Sequence, residues 1–251
     1  MASIVDSFND ALNEDKSYLK ICLFAIPVYF IVKLFLVGKM ALFTFYGSIV
    51  GLLFLGVLSQ GIHNVRLNKK VILSVNPIEL GIAIIKSLIV IVPYALGLGI
   101  VGKLLTAIHI PVELPHVQLI YAIIVWSLLF SILLTAYLSY AKYLKVMQGF
   151  NLKVVFESCV DVLVSFLFFI PQLLFVNVVL VGPIAYLYFV FHLPFNHWGF
   201  IACCSAMFVV NLSIMANYLA QSAYEHIKGN NEDYEDNVQI NIITDTPEKF
   251  N

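Results

Sequence analysis

The chain has 251 residues, of which 61% are hydrophobic and 12% are charged, and its formal net charge is −1. Soluble domains are apolar at about 45 to 50% of their positions, so this composition excludes an ordinary water-soluble protein and predicts an all-α polytopic membrane protein. No basic surface is large enough to follow a phosphate backbone, and nucleic acid is therefore not an expected partner.

The first segment, residues 1–18, is predicted to form a cytoplasmic amphipathic helix on the inner membrane surface. Ile4, Phe8 and Leu12 follow helical spacing, and Ser3 stands where it can cap the helix. The alternative is a solvated, frayed terminus. Because a cleavable signal would begin with basic residues and this segment is acidic, the apolar stretch after it is expected to remain in the membrane.

Six apolar stretches follow, and each is long enough for the roughly 20 residues that a membrane crossing needs. They lie near residues 19–38, 41–60, 84–106, 117–140, 160–190 and 198–223. Together they predict a transmembrane helical domain over residues 19–228. Lys and Arg are concentrated after the second and fourth segments, so these two loops and both termini are predicted to be cytoplasmic.

The two basic loops lead into similar helix starts. Asn76 and Asn151 are each placed to cap a helix, and Pro93 and Pro171, which lie 78 residues apart, should each kink the helix that follows. This spacing predicts that the second and third segments are repeated by the fourth and fifth in the same orientation. Coincidence is the alternative.

The end of the chain, residues 229–251, is polar and acidic and is predicted to be a disordered cytoplasmic tail. Within it, Val238, Ile240 and Ile242 alternate with polar residues at strand period. This short segment could pair with the edge of a partner's sheet, and an unstructured tail is the alternative.

Small and proline residues mark the candidate packing positions inside the membrane. Gly47 and Gly51 form a GxxxG pattern in the second segment, and Gly97 and Gly99 lie in the third. Small residues let helix backbones approach closely in lipid, so helix packing is the expected role. A dimer face or a path for a small solute is the alternative.

A few polar residues interrupt the apolar segments. Asn177 and Asn211 lie in the fifth and sixth segments, where each needs a hydrogen-bond partner or a wet cavity. A bond between the two helices is the first interpretation, and a polar groove is the second. Lys33 is expected to extend to the outer interface, with pairing to a buried acid as the alternative.

Residues that carry chemistry form no recognisable set. Imidazole and carboxylate groups bind zinc or copper where they converge, but the spacing of the outer histidines favours no ligand, so neither metal nor cofactor is expected. HExxH and GxSxG are absent, which predicts that the chain is not an enzyme. The outer residues considered are His109, Glu113, His116, His192 and His197.

Two stretches carry a resemblance to a known group. The run Gly61-Ile-His-Asn-Val-Arg66, and the stretch from Ile78-Glu79 to Pro93, resemble a group of uncharacterised prokaryotic multi-pass membrane proteins of about six helices. The resemblance covers residues 40–190, although the tryptophan-rich acidic loop of the group is missing. It implies a prokaryotic inner or plasma membrane and implies no activity.

These features predict a non-catalytic membrane protein that packs with, or organises, other membrane components. Its expected partners are membrane lipids and either another membrane protein or a second copy of the chain. The alternative is a transporter or lipid-handling protein, in which the second to fifth segments surround a groove lined by Pro93, Pro171, Asn177 and the glycines of the third segment. A water-accessible cavity there would favour transport, and a solid apolar core would favour a scaffold.

Overall fold

The computed structural model describes residues 3–14, 16–67, 69, 71–107, 115–192, 194 and 196–227. Within these ranges the chain forms eight helices and no strand, which confirms the predicted all-α fold. They are α1 (Ile4–Asn13), α2 (Ser17–Leu36), α3 (Met40–Arg66), α4 (Pro77–Thr106), α5 (Pro115–Tyr143), α6 (Val146–Gly149), α7 (Leu152–Val190) and α8 (Trp198–His226). The predicted acidic tail over residues 229–251, with its strand-like segment, lies outside the described residues.

Six of these helices are long and apolar enough to cross a membrane, and they match the six predicted segments. The crossing helices are α2, α3, α4, α5, α7 and α8. The chain is therefore a multi-pass integral membrane protein. Several helices run past their predicted bounds, since α3 continues to Arg66 and α7 begins at Leu152.

The predicted helix caps are present. The Ser3 hydroxyl accepts from the backbone N–H of Asp6 at 3.3 Å, and the Asn76 side chain accepts from that of Ile78 at 3.1 Å. Asn151 caps α7 by accepting from the backbone N–H of Val154 at 3.4 Å. Each cap satisfies an amide that has no partner within its own helix, so these starts follow from the local sequence.

The centre of the bundle is α8, which packs against α1, α2, α3, α5 and α7. Within its most apolar stretch 44% of the residues are buried, compared with 11% in α4 and in α7, which lie at the periphery. The second interior helix is α5, and it packs against α3, α4, α7 and α8. As a result, α5 lies between the two peripheral helices.

The predicted amphipathic helix is present as α1, but its apolar side contacts protein. Ser7 and Ala11 are buried, and Ile4 and Phe8 pack against the main apolar core. The Ser7 hydroxyl lies 3.1 Å from Oδ1 of Asn217 in α8. Because α8 supplies this polar partner, α1 is part of the bundle, whereas the sequence predicts a helix that lies on the membrane surface.

One end of the bundle, here called the basic end, contains α1, Arg66, Lys86 and Lys142. Lys142 donates to the carbonyl of Ile227 at 2.7 Å, and Arg66 donates to the carbonyl of Lys142 at 3.4 Å. The N-terminal helix and both basic loops therefore meet at one end, as their predicted common side requires.

Burial is uneven along the helices. The buried residues of α2 lie within 17–25, those of α3 within 54–62 and those of α7 within 154–169. Each stretch is the part of its helix nearest to the basic end. The apolar core therefore fills that half of the bundle, and the opposite half leaves much of its helix surface uncovered by the described chain.

Candidate functional site

The residues of the predicted groove do not come together among the described helices. Pro93 in α4 and Pro171 in α7 are both exposed, and α4 makes no extensive contact with α7. The hydroxyl of Tyr140 in α5 donates to the carbonyl of Ala83 at 3.0 Å, which fixes α5 against α4. Since α5 occupies the space between the two proline-containing helices, Pro93, Pro171 and Asn177 line no common cavity there.

The two candidate asparagines do meet. Asn211 donates to the side-chain oxygen of Asn177 at 2.7 Å, and Asn177 donates back at 3.2 Å. Asn177 also donates to the carbonyl of Leu173 at 2.8 Å. The predicted bond between the fifth and sixth segments is therefore confirmed, and it joins α7 to α8 by reciprocal amide contacts.

The four candidate glycines do not serve packing within the described chain. A Cβ atom added at any of them would meet no heavy atom within 4 Å. These glycines are Gly47, Gly51, Gly97 and Gly99. Close packing occurs instead at Gly56, where a Cβ atom would lie 2.7 Å from Ile84.

On α3 two hydroxyl residues extend the open glycines into a flat surface, here called the small face and formed by Thr44, Gly47, Ser48 and Gly51. The Thr44 hydroxyl donates to the carbonyl of Met40 at 3.0 Å, and the Ser48 hydroxyl donates to that of Thr44 at 2.8 Å. These bonds to the helix backbone satisfy both hydroxyl donors without a partner from another helix. The small face therefore has only short side chains, is not covered by another described helix and has no unsatisfied hydroxyl donor.

A buried ion pair at the basic end was missed by the sequence analysis. The carboxylate of Glu14 contacts the ammonium of Lys20 and accepts from the backbone N–H of Leu73 at 3.0 Å. Burial raises the pKa of Glu14 above its ordinary range, and the contacts with Lys20 and Leu73 oppose that rise. Glu14 thus links the end of α1, the start of α2 and the loop before α4.

A second polar network connects α1 to α8. Gln221 donates to the Ser7 hydroxyl at 3.2 Å and accepts from the backbone N–H of Ser3 at 2.7 Å. Asn217 donates to the carboxylate of Asp10 at 2.9 Å. A signal for these contacts was present in the sequence. Asn217 is a polar residue within an apolar helix, and a polar side chain there needs a hydrogen-bond partner from another element.

The outer polar residues are separated from one another. Lys33 donates to the carbonyl of Asn196 at 3.4 Å, so it contacts the loop before α8, and it pairs with no acid among the described residues. His197 caps α8 by accepting from the backbone N–H of Gly199 at 3.3 Å. His109 and Glu113 lie outside the described residues. Among the residues that the structure describes, no three His, Cys, Asp or Glu side chains come close enough together to hold a metal ion.

The described surface thus combines a basic end, where polar contacts border cavities of about 210 and 290 Å³, with an open opposite end that carries the small face of α3. Its polar clusters at the basic end hold helices and loops together. Comparisons of the chain with protein-family models, with curated proteins and with solved structures found no match.

Proposed function

We propose that this chain is a non-catalytic multi-pass membrane protein that acts by helix packing within a membrane assembly, with the small face of α3 as its contact surface. The observation that carries the proposal is the open space above Gly47 and Gly51, where an added Cβ atom would touch nothing. Small residues in lipid favour helix association because two backbones can approach closely and pack over a long contact.

The position of the small face supports this role. It lies in the half of α3 that the apolar core leaves uncovered, since the buried residues of α3 begin only at Phe54. Apolar side chains border it on both sides, with Phe43 half-buried and Leu52 37% exposed. A partner helix could therefore lie on the small face while these side chains pack along its flanks.

The partner that fits most simply is α3 of a second copy. A two-fold interface brings the same surface of each copy together, so a flat small surface is complementary to itself. A helix of a different membrane protein would use the same surface, and the mass of a cross-linked product distinguishes that partner from a second copy.

Association can be measured by disulfide cross-linking in native membranes. The four cysteines, Cys22, Cys159, Cys203 and Cys204, all lie outside α3. In a background without them, Ser48→Cys should give a cross-linked product that has the mass of two copies. A product of another mass would identify a different membrane protein as the partner.

The double variant Gly47→Leu/Gly51→Leu should reduce the cross-linked fraction at least about tenfold, because bulky side chains prevent close approach. Gly81→Leu/Gly182→Leu is the matched control, since both glycines lie in other helices and also have open space. Failure of Ser48→Cys to cross-link to any protein, or an equal loss in both double variants, would exclude the small face as the contact surface.

The alternative function, transport or lipid handling through a groove formed by the second to fifth segments, has no supporting observation in the described helices. It required Pro93 and Pro171 to line one cavity, and α5 lies between the helices that carry them. The absence of catalytic activity is part of the proposal, and it is supported only by the lack of a recognisable catalytic set.

We place the basic end in the cytoplasm, in a prokaryotic inner or plasma membrane. Lys and Arg favour the cytoplasmic side of membrane helices, and Arg66, Lys86 and Lys142 share this end. The membrane type rests on the resemblance over residues 40–190. With the native cysteines replaced, a membrane-impermeant thiol reagent should label Lys145→Cys only after the membrane is permeabilised, and labelling of intact cells would reverse the orientation.

A further inference from the structure

At the basic end, α3 with the loop after it, α4 and the loop after α5 line a half-open cavity of about 210 Å³. One water molecule takes about 30 Å³ in the liquid, so the cavity has room for a small polar group and not for a whole lipid. Gln60 lies six residues before the end of α3, which places it about 9 Å from that end.

A largely buried glutamine lines this cavity. Gln60 is only 5% exposed, and its side-chain oxygen is buried without a hydrogen-bond partner in the described structure. A buried polar group without a partner is destabilising, so a ligand that supplies one is favoured. Since the oxygen and nitrogen of an amide are assigned from their surroundings, the group can present either a donor or an acceptor to a ligand.

Two lysines give the cavity its charge. Lys86 donates one hydrogen bond to the carbonyl of Leu144 at 3.3 Å, which leaves two of its N–H groups for a ligand. Lys69 is exposed, and its ammonium makes no ion pair with another described residue. Glu79 at the rim is also exposed, so the two lysines and this carboxylate carry a net charge of about +1.

The remaining lining is neutral or apolar. Nδ1 of His63 lies 2.9 Å from the carbonyl of Lys142 and must donate to it, because a carbonyl oxygen only accepts. The other ring nitrogen remains available to the cavity. Ile82 is 49% exposed and forms an apolar edge, along which the glycerol or acyl part of a lipid could lie.

We propose that this cavity binds a phosphate group of a phospholipid, held by the ammonium groups of Lys69 and Lys86 and by the amide of Gln60. A phosphate diester carries a single negative charge, which matches the net positive charge of the lining. Basic cavities between membrane helices on the cytoplasmic side are suited to phospholipid headgroups. The proposal is independent of the small face, which lies in the other half of α3.

Lipid binding to the purified, delipidated full chain in mild detergent can be followed by native mass spectrometry. Phosphatidylglycerol should bind at one molecule per chain, and diacylglycerol with the same acyl chains should not bind, because it lacks the phosphate. Competition by inorganic phosphate at millimolar concentration would show that the site also takes phosphate from water, and no competition would assign it to the lipid headgroup. Either result supports a phosphate site.

Charge-matched variants test the residues. Lys69→Gln/Lys86→Gln should weaken phosphatidylglycerol binding at least about tenfold. Lys145→Gln/Lys153→Gln removes the same charge from exposed positions that do not line the cavity, and it should change affinity less than about threefold. If the first variant does not fold, Lys69→Gln alone should still weaken binding at least about threefold, because that side chain makes no ion pair with another described residue.

Equal binding of diacylglycerol would overturn the proposal, and so would equal losses in the two double variants, which would indicate diffuse attraction to the basic end. The small-face variant Gly47→Leu/Gly51→Leu should retain lipid binding. If Ser48→Cys fails to cross-link while the chain still binds lipid, only the proposal for the small face fails. If cross-linking occurs and lipid does not bind, only the proposal for the cavity fails.

Discussion

Removing Lys20 from its ion pair with Glu14 is predicted to destabilise the fold more than removing the charge of Glu14. The Glu14 side chain is 1% exposed and that of Lys20 is 10% exposed, so both charges have lost most of their water. The pKa of Glu14 is raised because burial outweighs the attraction of Lys20 and the bond from Leu73. In its folded surroundings Glu14 therefore favours the neutral form more than it does in the unfolded chain.

Lys20→Met should be strongly destabilising at neutral pH, because it leaves the buried carboxylate without a counter-charge. Removing one partner of a buried pair costs about 3 to 5 kcal/mol. A cavity of about 290 Å³ beside Glu14 can admit water, so we expect the lower value, about 3 kcal/mol. That cost corresponds to roughly a hundredfold shift of the folding equilibrium.

Glu14→Gln should cost less than Lys20→Met, about 1 to 2 kcal/mol, because its amide oxygen can still accept from the backbone N–H of Leu73 and from the ammonium of Lys20. Glu14→Gln/Lys20→Met should recover most of the loss caused by Lys20→Met, because no buried charge remains. Denaturant titration of the purified chain in mixed micelles, followed by circular dichroism, measures all three. Equal losses of unfolding free energy in Lys20→Met and Glu14→Gln would contradict this prediction. They would show that the attraction between the two charges, and not the desolvation of Glu14, determines the cost.

The pH dependence follows from the same raised pKa. A carboxyl group with a raised pKa binds its proton more tightly in the folded state, so its contribution to stability is present at low pH and is lost as pH rises through the raised pKa. Lys20→Met should therefore regain stability on acidification, as Glu14 becomes neutral. A cost that stayed constant between neutral pH and the ordinary range of glutamate would refute the assignment.

Two further substitutions test the packing of the bundle by the same denaturant titration. Gly56→Ala should cost about 1 to 3 kcal/mol through overpacking, because its Cβ atom would lie 2.7 Å from Ile84, and the control Gly47→Ala should be nearly neutral. Asn177→Leu should cost about 1 kcal/mol by leaving the amide of Asn211 without its partner, and Asn177→Leu/Asn211→Leu should recover part of this. A costly Gly47→Ala, or strictly additive asparagine variants, would contradict the contacts described.

The elements of the fold were largely predictable because their signals are local. The caps at Ser3, Asn76 and Asn151 satisfy amides within the next three residues, and six apolar lengths are readable without any tertiary information. The reciprocal contact of Asn177 and Asn211 was also predictable, because two polar groups in successive apolar helices have few other partners in lipid.

The packing partners of each helix were not predictable from its composition. A membrane helix is apolar on all sides, so its sequence does not reveal which side faces protein and which faces lipid. For this reason Pro93 and Pro171, which each lie in a helix that follows a basic loop, suggested a shared groove although α5 separates them. The contact between Glu14 and Leu73 joins residues that are 59 positions apart, and no local pattern indicates it.

The uneven burial gives the two ends of the bundle different physical requirements. At the basic end, buried polar groups such as Glu14 and Lys142 are held by specific bonds, so a partner there would have to compete with existing contacts. At the opposite end, α3 presents the small face of Thr44, Gly47, Ser48 and Gly51 directly to the membrane. Flexible lipid chains lose conformational freedom when they pack against such a narrow surface. A second helix is already rigid, so covering the small face with a helix costs less conformational entropy. Association through this end therefore disturbs none of the bonds that close the basic end.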